Sequence, residues 1–155
     1  MKALSALSDG LVFVERIVGR LLILGFVGLI TVNVAMRYGG GEPILFAEEL
    51  AAILLAWLAF VAISISVHDR AQVAVTLLTN LLSKRAQRTL DRVIAVIIIA
   101  MMAALLWAAI TWVLSPMVEF EQVITTGWPK APFFFIVPIF CATTLVHVTA
   151  QLFER

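Results

Sequence analysis

Four long apolar runs, parted by short polar stretches, set the pattern of this chain. They cover about residues 18–37, 45–67, 93–114 and 132–152. A helix needs about 20 mostly apolar residues, at roughly 1.5 Å of rise each, to cross a bilayer. Each run therefore predicts one transmembrane helix. The run Gly39-Gly40-Gly41-Glu42-Pro43 breaks the first from the second. Ser115-Pro116 ends the third. The stretch from Met117 to Ala131 is a loop with Glu119, Glu121, Gly127, Trp128, Pro129 and Lys130. Pro138, near the start of the fourth run, removes one ladder donor and predicts a bend there.

Residues 72–83 follow a different rhythm. Gln72, Thr76, Thr79, Asn80 and Ser83 fall on one side of a helical wheel, and Val73, Leu77, Leu78, Leu81 and Leu82 on the other. That is an amphipathic helix too short and too polar to span, so it should lie along the membrane surface or against a partner. The expected fold class is an all-α integral membrane protein: four transmembrane helices plus a cytoplasmic-side amphipathic interfacial helix, in a single membrane domain covering 1–155.

Composition agrees. The chain is 63% hydrophobic and 14% charged, against about 45–50% and about 25% for soluble domains. The net charge of +1 gives no reason to expect nucleic acid as a partner. The first apolar run is too long for the core of a signal peptide, so no cleavable signal is expected and that helix should itself insert. Gly25 and Gly28 put a small surface on the first span. Ala47/Ala51 and Ala52/Ala56 do so on the second. Such surfaces suit close helix contact.

Charge sets the expected orientation. Nine of the eleven Lys and Arg lie in the N-terminal segment, the second loop and the C-terminus; only Arg37 and Lys130 lie on the other side. Positive charge favours the cytoplasmic side, so both termini should be cytoplasmic in a multi-pass inner-membrane protein. The basic run Lys84, Arg85, Arg88 and Arg92 is most simply a topology signal that should also meet anionic membrane lipids, with a specific protein contact as the alternative.

Candidate chemistry is sparse. Transporters that bind their own ion or substrate keep ionisable groups at mid-membrane. The mid-span positions here are almost wholly apolar, which speaks against a self-sufficient carrier. Glu48 and Glu49 open the second span, and three readings stay open. They complement the helix dipole, they pair with Arg37 across the short loop, or they contact a ligand or partner. Neighbours on a helix diverge by roughly 100°, so both cannot face one ligand equally. His68 and His147 raise a haem held between helices, against a plain hydrogen-bonded role for His147 among Thr143, Thr144 and Thr149. The lone Cys141 has no neighbour to lower its pKa. No catalytic, metal-binding or cofactor-binding residue is assigned.

Met36-Arg37-Tyr38, a Gly-rich gap, then Phe46-Ala47-Glu48-Glu49-Leu50 leading into Trp57-Leu58-Ala59-Phe60 resembles the small membrane subunit of TRAP transporters, the DctQ-type family. Gly127-x-Pro129 before the fourth span, with Pro138 inside it, is also similar. Gln72 and Thr76 stand where members often carry His and Asp. The resemblance implies a non-enzymatic subunit that braces a large multi-span transport subunit (M-type). It also implies a periplasmic substrate-binding protein (P-type) delivering an organic acid such as a dicarboxylate or sialic acid, with sodium as driving ion. Arg37, Glu48, Glu49, Trp57, Trp128, Pro129, Lys130 and Pro138 are the structural or interface candidates, and no cofactor is implied. The alternatives are a haem-binding membrane anchor of a redox enzyme and a small homodimeric carrier.

Overall fold

The computed structural model describes residues 2–39, 41–69 and 84–153. The amphipathic helix expected at 72–83 lies outside the described residues. Among the described residues six helices follow one another: α1 Lys2–Tyr38, α2 Ala47–His68, α3 Lys84–Val113, the short α4 Pro116–Glu119 and α5 Ala131–Phe134, and α6 Ile136–Phe153. Four stretches are long and apolar enough to cross a membrane: Leu4–Tyr38, Ala47–His68, Arg85–Val113 and Ala131–Phe153, the last combining α5 and α6. The fold is all-α.

Two helices run well beyond their apolar cores. α1 has 37 residues, about 55 Å of helix against about 30 Å of hydrocarbon. Its first turns contain Ser8, Asp9 and Gly10, which favour helix poorly, and the polar segment before Leu11 shows no apolar helix pattern. Tertiary bonds override that preference: Ser8 reaches His147 on α6, and Asp9 reaches His68 on α2. α3 likewise begins at Lys84, so the basic run is helical.

α6 is the hub. It packs against α1, α2 and α3, and its span is the most buried of the four. Cys141, Thr144, His147 and Val148 are buried on it at helical spacing. α1 turns Ser8, Val12, Glu15 and Gly19 inward at steps of four, three and four. At Gly19 a Cβ would lie 3.6 Å from Val61, so glycine allows α1 and α2 to approach there. Gly25 and Gly28 meet nothing within 4 Å and face away from the bundle. Of the alanine pairs, Ala47 and Ala51 are buried, while Ala52 and Ala56 are exposed. Phe60 stacks on Phe140 at 5.2 Å, and Trp112 on Phe134 at 4.8 Å.

Pro138 sits in the first turn of α6. There its missing N–H removes little, because the first donors of a helix lack intrahelical partners in any case. The fourth span is interrupted at Phe135, which keeps right-handed dihedrals (φ −60°, ψ −15°). Ladder bonding resumes with Ile139 N–H to the Phe135 carbonyl at 3.2 Å.

Candidate functional site

Polar side chains gather at two places. One is the loop end of the bundle, where Arg37, Glu49 and Trp128 lie. The other is the basal end, where Asp9, His68 and Gln151 lie.

At the loop end the two carboxylates that open α2 point to different partners. Arg37, in the last turn of α1, donates to Glu48 Oε1 at 3.1 Å across the loop, and both side chains are exposed. Glu49 turns to the segment before α5. Its Oε1 accepts the Ile124 N–H at 3.1 Å, and its Oε2 accepts the Thr125 N–H at 3.2 Å and the Thr125 hydroxyl at 3.0 Å. The angular divergence of neighbouring helix positions thus separates their work. Both also stand in the first turn of α2, where negative charge complements the dipole.

The segment that Glu49 holds is a compact turn. Gln122 and Pro129 form an antiparallel bridge. Val123 N–H donates to the Trp128 carbonyl at 2.8 Å, and Lys130 N–H to the Glu121 carbonyl at 2.9 Å. Gly127 closes the turn with φ +71°, a conformation that costs a side-chain-bearing residue strain. The Lys130 carbonyl then accepts Phe133 N–H at 2.9 Å and starts α5. Trp57, in the middle of α2, donates its indole N–H to the Phe133 carbonyl at 2.8 Å. That carbonyl belongs to the end of α5, where helix acceptors lack partners.

At the basal end lies a buried polar junction of α1, α2 and α6. His147 is fully buried, with Nδ1 2.8 Å from Ser8 Oγ and Nε2 3.2 Å from Glu15 Oε2. The other Glu15 oxygen accepts the Ser64 hydroxyl at 2.7 Å, and Ser64 lies 3.1 Å from Thr143 Oγ1. Serine, histidine and carboxylate are connected as in an acylating triad. All three are buried, however, so the serine has no path to a substrate. The threonines expected to serve His147 do not reach it: Thr143 meets Ser64, Thr149 bonds the Leu145 carbonyl, and the buried Thr144 hydroxyl has no partner among the described residues.

A more exposed ring surrounds this junction. His68 lies 3.2 Å from Asp9 through Nε2 and 3.1 Å from Asp69 through Nδ1. Arg16 grips both Asp69 oxygens, at 2.7 and 2.9 Å. The hydrogen bond to His68 and the Arg16 charge hold the Asp69 carboxyl below its ordinary value. Gln151 donates to the Val67 and His68 carbonyls at 2.7 and 3.1 Å, satisfying the end of α2. The rings of His68 and His147 meet edge to face, with centroids 5.1 Å apart. Each ring nitrogen already has a partner, and no gap for a haem plane lies between them.

Sequence reasoning missed Glu15, Ser8, Ser64 and Asn33. Asn33 is buried, and its Oδ1 accepts the Ile44 N–H at 2.9 Å, fixing the loop into α2. Each is a lone polar residue, and only the three-four spacing of Ser8, Val12 and Glu15 hinted at an inward face. Among the described residues no group of three or more His, Cys, Asp or Glu is arranged to hold a metal ion.

A family model described as the DctQ component of tripartite ATP-independent periplasmic transporters matches residues 26–155. The match takes in Arg37, Glu48, Glu49, Trp57 and His147 and begins after Ser8 and Glu15. No curated protein matches the chain.

Proposed function

The chain belongs to the DctQ component family of TRAP transporters, and from that premise we propose that it is a non-catalytic scaffold subunit of a sodium-driven uptake system. It resides in the bacterial inner membrane with both termini in the cytoplasm. That orientation follows from the nine Lys and Arg that then face inward. It braces a large multi-span subunit that carries substrate and sodium, and it helps receive a periplasmic binding protein. The solute is an organic acid of the dicarboxylate or sialic acid kind.

The observation that carries the scaffold role is how the buried polar groups are used. Ser8, Glu15, Ser64 and His147 satisfy one another, Asn33 serves the backbone, and among the described residues the buried polar side-chain atom left without a partner is the uncharged Thr144 hydroxyl, sealed from solvent. A carrier needs intramembrane polar groups left over for its solute. Arg37, Glu48, Glu49, Trp57, Trp128, Pro129, Lys130 and Pro138 in this reading shape the loop end for assembly.

Reconstitution tests it. Tagged chain should co-purify with a larger multi-span protein. Vesicles holding both, supplied with the binding protein and a sodium gradient, should take up solute. Vesicles holding this chain alone should not, and uptake by them would overturn the proposal.

A further inference from the structure

The segment between α3 and α5 has an unusual surface. Leu114, Met117, Phe120, Ile124 and Trp128 are all more than half exposed, with Ile124 at 89% and Phe120 at 80%. A solvated connection seldom displays so many large apolar side chains in so short a stretch. Val118 and Val123 are buried beneath, so the segment is anchored and the exposed set is held outward.

Most of its backbone donors are satisfied from within the chain. The N–H groups of Val118, Glu119, Glu121, Val123, Gly127 and Lys130 all find carbonyls. Those of Ile124 and Thr125 are taken by Glu49, and that of Trp128 by Thr126 Oγ1. Irregular backbone tolerates a water-poor setting only when its donors are met internally.

The depth of the segment can be placed. Glu49 holds Ile124 and Thr125 at the first turn of α2. Val123 and Trp128 share a small gap with Phe46, Leu50 and Ile53. Ile53 stands six residues into α2, or about 9 Å along its axis. The segment is thus folded back beside the first two turns of a span. Along the chain its exposed set continues the outward stripe of α3: Trp107 and Ile110 on the helix and Leu114 just past its end are exposed at steps of three and four. Glu119 and Glu121, exposed on either side of Phe120, limit how deep it goes.

We propose that residues 114–128 form a lipid-contacting shelf, with Phe120, Ile124 and Trp128 seated in the headgroup layer of the bilayer beside α2 and α3. The occupant is phospholipid. The inference rests on the four helices being spans and not on the transporter's partners.

The test uses the full chain in nanodiscs of phosphatidylethanolamine and phosphatidylglycerol. Nitroxide is attached at Phe120→Cys and Ile124→Cys, with Met101→Cys on α3 and Glu42→Cys in the first loop as controls. Cys141 is buried, and the unsubstituted chain gives its background. Collisions with oxygen report lipid, and collisions with a water-soluble nickel chelate report water. Oxygen collisions exceeding chelate collisions at 120 and 124, as at 101 and unlike 42, support the shelf. Chelate dominance at 120 and 124 with lipid at 101 overturns it. So does protection from both agents, which would mean a protein cover. Chelate dominance at 101 as well would overturn the membrane placement of α3 and the shelf with it. None of these outcomes depends on uptake, so the scaffold role stands or falls separately.

Discussion

Glu15 Oε2 lies 3.2 Å from His147 Nε2 across the interface of α1 and α6, inside the buried basal junction. A carboxylate in such a place is tolerable because Ser64 satisfies its second oxygen and Ser8 the far side of the imidazole. The four groups tie three helices at one point.

Removing one member should therefore cost more than removing two. Glu15→Ala strands the His147 Nε2, while Ser64 keeps the Thr143 hydroxyl as a partner, and a buried unsatisfied group costs about 1–3 kcal/mol. Paired replacement by Glu15→Met and His147→Leu removes the imidazole as well, leaving Ser64 on Thr143 and Ser8 to bond a carbonyl of its own helix, and apolar substitutes for buried pairs are often neutral or better. Unfolding of the purified chain in mixed micelles should show the single variant less stable than the double. Equal loss in both would mean that the pair is not coupled.

The two carboxylates that open α2 should behave differently. Glu48→Gln loosens an exposed pair with Arg37, and such pairs contribute about 0–1 kcal/mol. Glu49→Gln replaces one of the two accepting oxygens by an NH2 donor and removes the charge, so Ile124 and Thr125 can no longer both be met. Hydrogen exchange at those two amides should speed up markedly in Glu49→Gln and stay unchanged in Glu48→Gln. Replacing both should weaken assembly with the large subunit or docking at the loop end, and leave solute preference as it is.

The division between these residues shows what the chain disclosed in advance. Long apolar runs are one-dimensional signals, so four spans could be read directly. Arg37 and Glu48 flank one short loop, and their pairing was among the readings open from spacing alone. Glu49 and Ile124 are 75 positions apart, and nothing in either neighbourhood names the other. The basal junction was hidden for a related reason. Glu15 precedes the apolar core of the first span and resembles a solvated residue until α6 brings His147 against it. The helical run before Leu11 was missed because tertiary bonds, not propensity, hold it.

Trp57 offers a test of the interrupted fourth span. Its indole N–H meets the Phe133 carbonyl just before Phe135, where ladder bonding lapses. Trp57→Phe keeps most of the ring and deletes the donor. The carbonyl is then orphaned in a half-buried place, a loss of about 1 kcal/mol or somewhat more. Exchange at the amides of residues 135–137 and 139 should rise in the variant. An unchanged exchange pattern would show that the interruption supports itself.

Asp69 gives the pH dependence at the basal end. Its carboxyl is held below the ordinary value first by the hydrogen bond to His68 and then by Arg16. For an acid so depressed, the stabilising contribution is complete above the unfolded value of about 3.9. It is lost as pH falls through the lower, folded value. The side chain is 40% exposed, so solvent screening keeps the contribution to about 1 kcal/mol or less. Wild type should therefore melt slightly above Asp69→Asn throughout the range above about pH 4, and the two curves should converge below it. A gap that widened in acid would mean that the neutral carboxyl, not the carboxylate, is the form the clasp of Arg16 and His68 prefers.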